Sequence, residues 1–549
     1  MAVMVVIAVT GTGAVINADE GAVLSQAQVL NDTGDWGMTN PNPVVDPEGR
    51  WFPLDLSDTA DGRWFPYTKH VAYPAAVSLV FHVGGLRGVL FVHGLCLVAA
   101  AAIIGLSTRS LARRAGAPLW LDRVALWAVL LASPAIMDAF WVIAHAPALL
   151  CASIAAGLAA ELVESPSGIT VGRVSKLIGL GAAVSLGVLL RSEATLFGVA
   201  LGLSLVLWSR LRAAGLVSGA VAGVSAVAAH FLDAWLEAAA RGGAVTPFVT
   251  TDRVPWLEGR VPGFVNSVLR TDLGGGALGQ WLVLAATALT VVAWWGIRRG
   301  AAPTMVRGAA IGAATLWVAR MVFVQDLIPG LVMAFPLLIA GAFCVDRQLL
   351  GLVTIRMALV AATLYAAAVV ATQYAAGGSG DWGGRYLRLL IPLVIPVLVV
   401  SLSKRLALVD RPVRRVVAAG LIVSGLAASA SAVLYIASIR PVVDRTVERL
   451  HNEAVAVGEP DPLIVSTRIE VGRFSWRYVT RFPMLSVPER SDLPELAERL
   501  SQAGVRQFVL VTPATRIDQD VRELGGRYEV IPGQERETSG WSSVHFRSV

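Results

Sequence analysis

Apolar runs of roughly 17 to 25 residues recur along most of this 549-residue chain, a length that matches the hydrocarbon core of a bilayer when the run is wound as a helix. In lipid every backbone N–H and C=O must be satisfied within the protein, so such runs read as membrane-spanning helices. The pattern predicts about thirteen of them, near 1–17, 87–107, 121–136, 141–161, 176–190, 194–209, 214–236, 279–297, 307–324, 330–346, 356–374, 387–402 and 415–438. A composition that is 55% hydrophobic and only 15% charged excludes a water-soluble protein of this length. The expected fold class is an α-helical polytopic membrane protein.

A net charge of +6 is compatible with nucleic-acid binding, but the arginines fall in short clusters between apolar runs, not along one amphipathic face, so no nucleic-acid partner is expected. Those clusters, from Arg109–Arg114 through Arg298–Arg299 to Lys404–Arg415, occupy alternate connections. By the positive-inside rule they are cytoplasmic, which puts the N-terminus in the cytoplasm and the C-terminus outside. The first run has no basic flank and no small-x-small site before Asp19, so it reads as an uncleaved helix and not as a signal peptide. The three cysteines, Cys96, Cys151 and Cys344, lie in or beside apolar segments and imply neither a disulfide framework nor a thiolate metal site.

Two external loops stand out, at 19–87 and 237–280. The first carries a short duplication, Gly49-Arg50-Trp51-Phe52-Pro53 and Gly62-Arg63-Trp64-Phe65-Pro66, which predicts a hairpin or paired interfacial loops with the aromatics at headgroup level. Residues after Lys69-His70, as far as Leu86, read as a helix lying on the outer surface. From 441 to 549 the composition becomes that of a soluble domain. Strands are expected at 463–467 and 508–512, with a helix at 493–503 capped by Gly504, so this is a small extracytoplasmic α/β unit following a membrane domain over 1–440.

Sorting polar residues by side gathers Asp19, Glu20, Lys69, His70, Asp138, His145, Arg191, Glu193, Asp326, Asp381, Arg385 and Arg388 at the outer boundary. Ionisable groups at membrane depth are costly and tend to be functional, so the concentration points to an external active site. Each has a plainer reading. Asp19-Glu20 could be juxtamembrane solvation. Arg191-Ser192-Glu193 could be an internal ion pair holding a tight turn, and Asp138 and His145 could make structural hydrogen bonds. The run Gly377-Gly378-Ser379-Gly380-Asp381-Trp382-Gly383-Gly384-Arg385-Tyr386 could be a linker with snorkelling arginines. Its glycines would equally let backbone amides approach an anion while Arg385 and Arg388 pair with phosphate oxygens.

Asn17-Ala18-Asp19-Glu20, Lys69-His70 through Tyr73-Pro74, Arg191-Ser192-Glu193, Ile328-Pro329-Gly330-Leu331 and Trp382-Gly383-Gly384-Arg385-Tyr386 form an ordered pattern over the first 440 residues. The pattern resembles the integral-membrane glycosyltransferases of the GT-C fold that use polyprenyl-phosphate sugars, a group including protein O-mannosyltransferases, aminoarabinose transferases and mycobacterial arabinosyltransferases. The resemblance implies a multi-pass plasma-membrane enzyme moving a sugar, mannose or arabinose, with inversion, from a lipid-phosphate donor to an envelope glycan, glycolipid or protein at the outer face. It implies Asp19 as the base that activates the acceptor, with Glu20 its neighbour. Arg385 is the leading phosphate ligand, joined by Arg191, Lys69, His70 and Tyr386, with Glu193, His145 and Asp138 in support. Where many relatives carry an acidic residue at the head of the fourth span, this chain has Trp141-Val142-Ile143-Ala144-His145.

Such chemistry asks for little more than one carboxylate and one or two arginines. A lipid phosphate is already a stable leaving group, so the protein stabilises its charge and takes a proton from the attacking hydroxyl. If the site is desolvated, the carboxylate pKa is expected above its reference of about 3.9. Two adjacent carboxylates make a poor divalent-cation site, so neither a metal nor a cofactor is expected. The alternatives are a transporter or flippase of a lipid-linked glycan, which inverted repeats and midplane charges would mark, and a non-catalytic membrane scaffold.

Overall fold

The computed structural model describes residues 15, 17–40, 42–54, 58–60, 63–67, 69–164, 170–209, 212–241, 256–269, 276–324, 330–372, 383–456, 463–479, 483–487, 489–524, 526–531, 536–538 and 541–549. Among them, nine helices are long and apolar enough to cross a membrane. They coincide with nine of the expected spans, including Ala72–Ala115, His145–Leu162, Val171–Leu190, Arg212–Ala240, Val353–Thr372 and Arg411–Ala456. Large apolar side chains such as Phe231 (68% exposed) and Trp235 (64%) point outward from the Arg212–Ala240 helix, as a lipid-facing surface requires.

The other four expected spans differ, each for a local reason. Almost all of the run at 1–17 lies outside the described residues. The run at 121–136 forms a helix only over Leu121–Leu131, because Ser133 adopts an extended conformation, caps Ala135, and is followed by Pro134 at the start of a 3-10 turn, Pro134–Ala139. The Glu193–Trp208 helix is apolar but only 16 residues long. The run at 330–346 breaks at Phe335 into Leu331–Ala334 and Pro336–Ala342, where Pro336 has no N–H to continue the ladder.

Outside the spans, the expected loop at 19–87 begins as a helix. Asn17 opens Ala18–Thr33 with a reciprocal capping box to Glu20, and Gly34 closes it in the left-handed conformation. A helix does follow His70 and continues into the next span, with a non-helical residue, Gly85, at φ 57° marking the bend between them. Strands β1 (Met38–Thr39), β2 (Asp58–Ala60) and β3 (Arg63–Phe65) make an antiparallel sheet ordered β1-β3-β2.

The second copy of the duplication supplies β3 of this sheet, and the tryptophans of both copies are buried inside the protein. Trp51 and Trp64 are both 1% exposed. Trp64 meets Phe52 edge-on at 3.7 Å, and Trp51 lies in the core of the C-terminal domain with Val45, Leu463, Leu496 and Phe508.

That domain is an α/β unit built on strands β4 (Leu463–Ser466), β5 (Met484–Ser486), β6 (Gln507–Pro513), β7 (Tyr528–Val530), β8 (Arg536–Thr538) and β9 (Trp541–Ser548). Its sheet runs β5-β4-β6-β9-β7, with β4 parallel to β5 and β6, and β9 antiparallel to β6. The helix Leu493–Gln502 crosses between β5 and β6 on an apolar face formed by Leu493, Leu496, Ala497 and Leu500. The Arg411–Ala456 helix carries the chain from the spans into this domain without a break across Pro441.

Candidate functional site

The capping box sends the two carboxylates of Asp19-Glu20 in different directions. Glu20 is fully buried, and its Oε1 accepts from the Asn17 backbone N–H at 2.9 Å while Oε2 accepts from Val142 N–H at 2.8 Å. Both oxygens are thus spent on backbone donors. Glu20 ties the first helix to the 140–144 segment and offers no base to a substrate. Asp19 keeps 24% side-chain exposure and receives Arg385, whose Nη2 donates to Oδ2 at 2.7 Å.

Arg385 is carried into position by Gly383 and Gly384, at φ 67° and 69°. A Cβ on Gly384 would stand 2.3 Å from the Ser267 carbonyl oxygen, so this close approach admits only glycine. Residues 377–382, and with them Asp381 and Trp382, lie outside the described residues, as do Asp326, Ile328 and Pro329.

Two further cations face Asp19. Lys69 is electrostatically coupled to it, and Arg473, from the helix Ile469–Phe474 of the C-terminal domain, brings Nη1 to 3.7 Å from Oδ1. Arg473 was not among the expected residues, and nothing in Ile469-Glu470-Val471-Gly472-Arg473 distinguishes it as a sequence. Only the docking of the two regions reveals it. Desolvation pushes the Asp19 carboxyl up, as expected, but the charge and hydrogen bond of Arg385, with Lys69 and Arg473, outweigh it and hold the pKa at about 2. Burial lowers the Lys69 ammonium, with Asp19 opposing and the arginines adding to the shift.

Two of the expected phosphate ligands already have partners within the protein. Arg191 forks onto Glu193 through Nε–Oε2 at 3.1 Å and Nη2–Oε1 at 2.5 Å, the internal pair that holds the turn between two helices. His70 sits at φ 48°. Its backbone N–H donates to Glu237 at 2.9 Å, Nδ1 meets Asp233 at 2.7 Å, and Nε2 accepts from Ser192 N–H at 3.1 Å. With both ring nitrogens engaged, His70 clamps the Lys69 segment to the spans instead of facing a ligand. His70, Asp233 and Glu237 bring possible metal-ligand atoms within 4.8 Å of one another, and one imidazole with two carboxylates would suit a divalent transition ion. The hydrogen bonds made by His70 account for the cluster equally well.

Asp138 pairs with Arg388, both wholly buried, and the Arg388 guanidinium lies 5.1 Å over the Trp141 ring. Arg440 donates to the Phe140 carbonyl. Together with Glu20, these buried arginines engage the 138–142 segment. His145 is buried with its ring 6.5 Å from Trp141. Tyr386 stacks under Arg385 at 5.4 Å, and its carbonyl accepts from Tyr365 OH at 2.5 Å, which orients the arginine.

Beside Leu387 opens a cavity of about 670 Å³, lined by Phe264, Val268, Leu359, Ala366, Leu387 and Val394, with Arg260 at its wall. It is almost wholly apolar, and its lining residue Leu387 follows Arg385 by two positions in the chain.

No protein-family model and no curated protein matches the sequence. Among solved structures, the chain is similar to apo ArnT from Cupriavidus metallidurans, with TM-score 0.54 and 12% identity over 98% of this chain and 96% of that one. It is similar to the same protein bound to undecaprenyl phosphate, with TM-score 0.51 and 13% identity over 99% and 96%. The chain has the GT-C fold. In this GT-C chain the first-loop carboxylate and the late-loop arginine, 366 residues apart, meet directly.

Proposed function

We propose that the protein is an inverting glycosyltransferase that takes a sugar from a polyprenyl-phosphate donor and gives it to a hydroxyl on a cell-envelope acceptor at the outer face of the plasma membrane. The observation that carries this reading is the Asp19–Arg385 contact: a base and a phosphate-binding group meet, and Leu387, two positions along the chain from Arg385, lines an apolar cavity of a size for part of a lipid chain. Co-crystallised ArnT holds undecaprenyl phosphate, and the shared fold supports the same class of donor here. Mannose and arabinose are the sugars favoured. The N-terminus is assigned to the cytoplasm and the C-terminal domain to the exterior.

In the resting protein Asp19 is ionised but occupied by Arg385, and a carboxylate held at about 2 is a weak base. A donor phosphate competes for Arg385 with the fork geometry that guanidinium favours. Once relieved of that pair, the desolvated carboxylate becomes more basic. The acceptor oxygen then attacks the anomeric carbon from the face opposite the phosphate. Its proton passes to Asp19. The bond from anomeric carbon to phosphate oxygen breaks with its electron pair on the phosphate, which leaves as a polyprenyl monophosphate stabilised by Arg385 and Lys69.

The test is sugar transfer in detergent from polyprenyl-phosphate mannose or arabinose. Asp19→Asn is expected to abolish transfer in a protein that still expresses and folds; near-normal transfer by that variant removes Asp19 from the role.

A further inference from the structure

Two arginines, one from the membrane domain and one from the C-terminal domain, address different oxygens of one carboxylate: Arg385 at Oδ2, 2.7 Å away, and Arg473 at Oδ1, 3.7 Å away. The second of these belongs to the soluble domain, and its position is built, not incidental. The helix bearing it packs on the first helix at Gly21, where a Cβ would stand 1.7 Å from the Arg473 carbonyl oxygen. On its other side a Cβ on Gly472 would stand 2.4 Å from the Pro53 carbonyl oxygen. Two glycines therefore allow two backbones to close on either side of Arg473. The side chain itself is only 10% exposed, so it is held in the partly desolvated site, not waving in solvent.

At 3.7 Å, Arg473 is within ion-pair range of Asp19 but beyond hydrogen-bond distance. A carboxylate tightly held by one arginine does not need a second guanidinium set back from it. An anion that draws Arg385 off Asp19 would be met by both. The cleavage proposed above converts a phosphodiester with one negative charge into a monoester approaching two, and a second guanidinium on that charge favours the leaving group over the donor.

We infer that the C-terminal domain supplies part of the donor site: Arg473 is a second phosphate ligand, acting with Arg385 on the polyprenyl monophosphate group. This rests on the donor class proposed above. The experiment measures equilibrium binding of undecaprenyl monophosphate in mixed micelles to the full-length protein, with undecaprenol and inorganic phosphate as separate arms. Wild type is expected to bind the monophosphate lipid saturably and more tightly than either control. Arg473→Gln is expected to bind it about ten- to a hundredfold more weakly, the scale of one lost charge-assisted contact, with undecaprenol binding unchanged. Arg473→Lys, which keeps charge and bulk, falls between them and serves if the glutamine variant does not fold.

Introduced on an Asp19→Asn background, Arg473→Gln should still weaken binding; loss of the effect there would make Arg473 a positioning residue for Asp19 and overturn the inference. Wild-type-like binding by Arg473→Gln alongside weakened Arg385→Gln also overturns it, while leaving the donor class standing. Failure of wild type to bind the monophosphate lipid in preference to undecaprenol removes the donor class itself.

Discussion

At the scale of single residues, the pair Asp19-Glu20 divides its work by geometry. Both Glu20 oxygens accept backbone N–H groups, from Asn17 and Val142, and a glutamine has one acceptor to offer two donors. Glu20→Gln is therefore expected to leave a buried N–H facing an amide and to cost about 1–3 kcal/mol, measured by thermal unfolding in detergent. Asp19 is expected to act on pH dependence instead. Its carboxyl lies at about 2 against an ordinary value of 3.8, so the ion pair's stabilisation is complete above 3.8 and is lost as pH falls toward 2. In Arg385→Ala the desolvation that raises Asp19 loses its main opponent. The acid limb of kcat/KM should then move to higher pH, along with a raised KM for donor; an unmoved limb would mean that another group sets it. A sequence shows the two adjacent carboxylates, but not which one the cap consumes. That was decided by an Asn-x-x-Glu spacing visible at 17 and 20 and by a contact with Val142 that no local pattern announces.

At the scale of elements, hydropathy located the spans because the bilayer imposes one length and one composition on all of them. It failed where a proline withdrew a backbone donor, at Pro134 and Pro336, since a residue without an N–H still scores as part of an apolar run. Those breaks matter to the site. The 3-10 turn beginning at Pro134 carries Asp138 to Arg388, and Pro134 itself leaves 2.2 Å for a Cβ on Gly383, which must therefore be glycine for the Arg385 loop to pass. Helix packing is equally particular at Gly21. Gly21→Ala drives a methyl into the Arg473 backbone, which cannot swing aside as a side chain can. It is expected to lower the thermal midpoint and to reduce transfer about as much as Arg473→Gln does. Gly308→Ala is the matched control, with no atom within 4 Å of its added Cβ, and in a helix it is expected to be neutral or stabilising by up to about 1 kcal/mol.

At the scale of the whole molecule, the first loop and the C-terminal domain fold as one body although the spans separate them in sequence. Backbone Ser486 N–H donates to the Trp51 carbonyl at 2.6 Å, extending the β5 edge with a piece of the first loop. Arg50 pairs with Asp492 at 2.7 Å and Glu495 at 2.9 Å. The repeated pentapeptide thus serves two surfaces: one copy seats Trp51 in the distant α/β core, and the other supplies Trp64 to the local sheet. The sequence announced the main strands of the C-terminal sheet, because short unbroken apolar runs such as Leu463–Val465 and Phe508–Val511 are local features. That residues 45 to 51 complete its core was hidden, since burial of Trp51 depends on chain brought together from opposite ends of the protein. The same union brings Arg473 to Asp19. Trp51→Ala empties a fully buried aromatic site and is expected to cost about 3–5 kcal/mol. The loss should fall on the body formed by the first loop and the C-terminal domain and not on the spans. Limited proteolysis should then release fragments from beyond residue 456 while the membrane portion stays intact, and monophosphate-lipid binding should fall with it. A Trp51→Ala protein that resists protease and binds lipid as wild type does would show that the first loop decorates the C-terminal domain without holding it on the site.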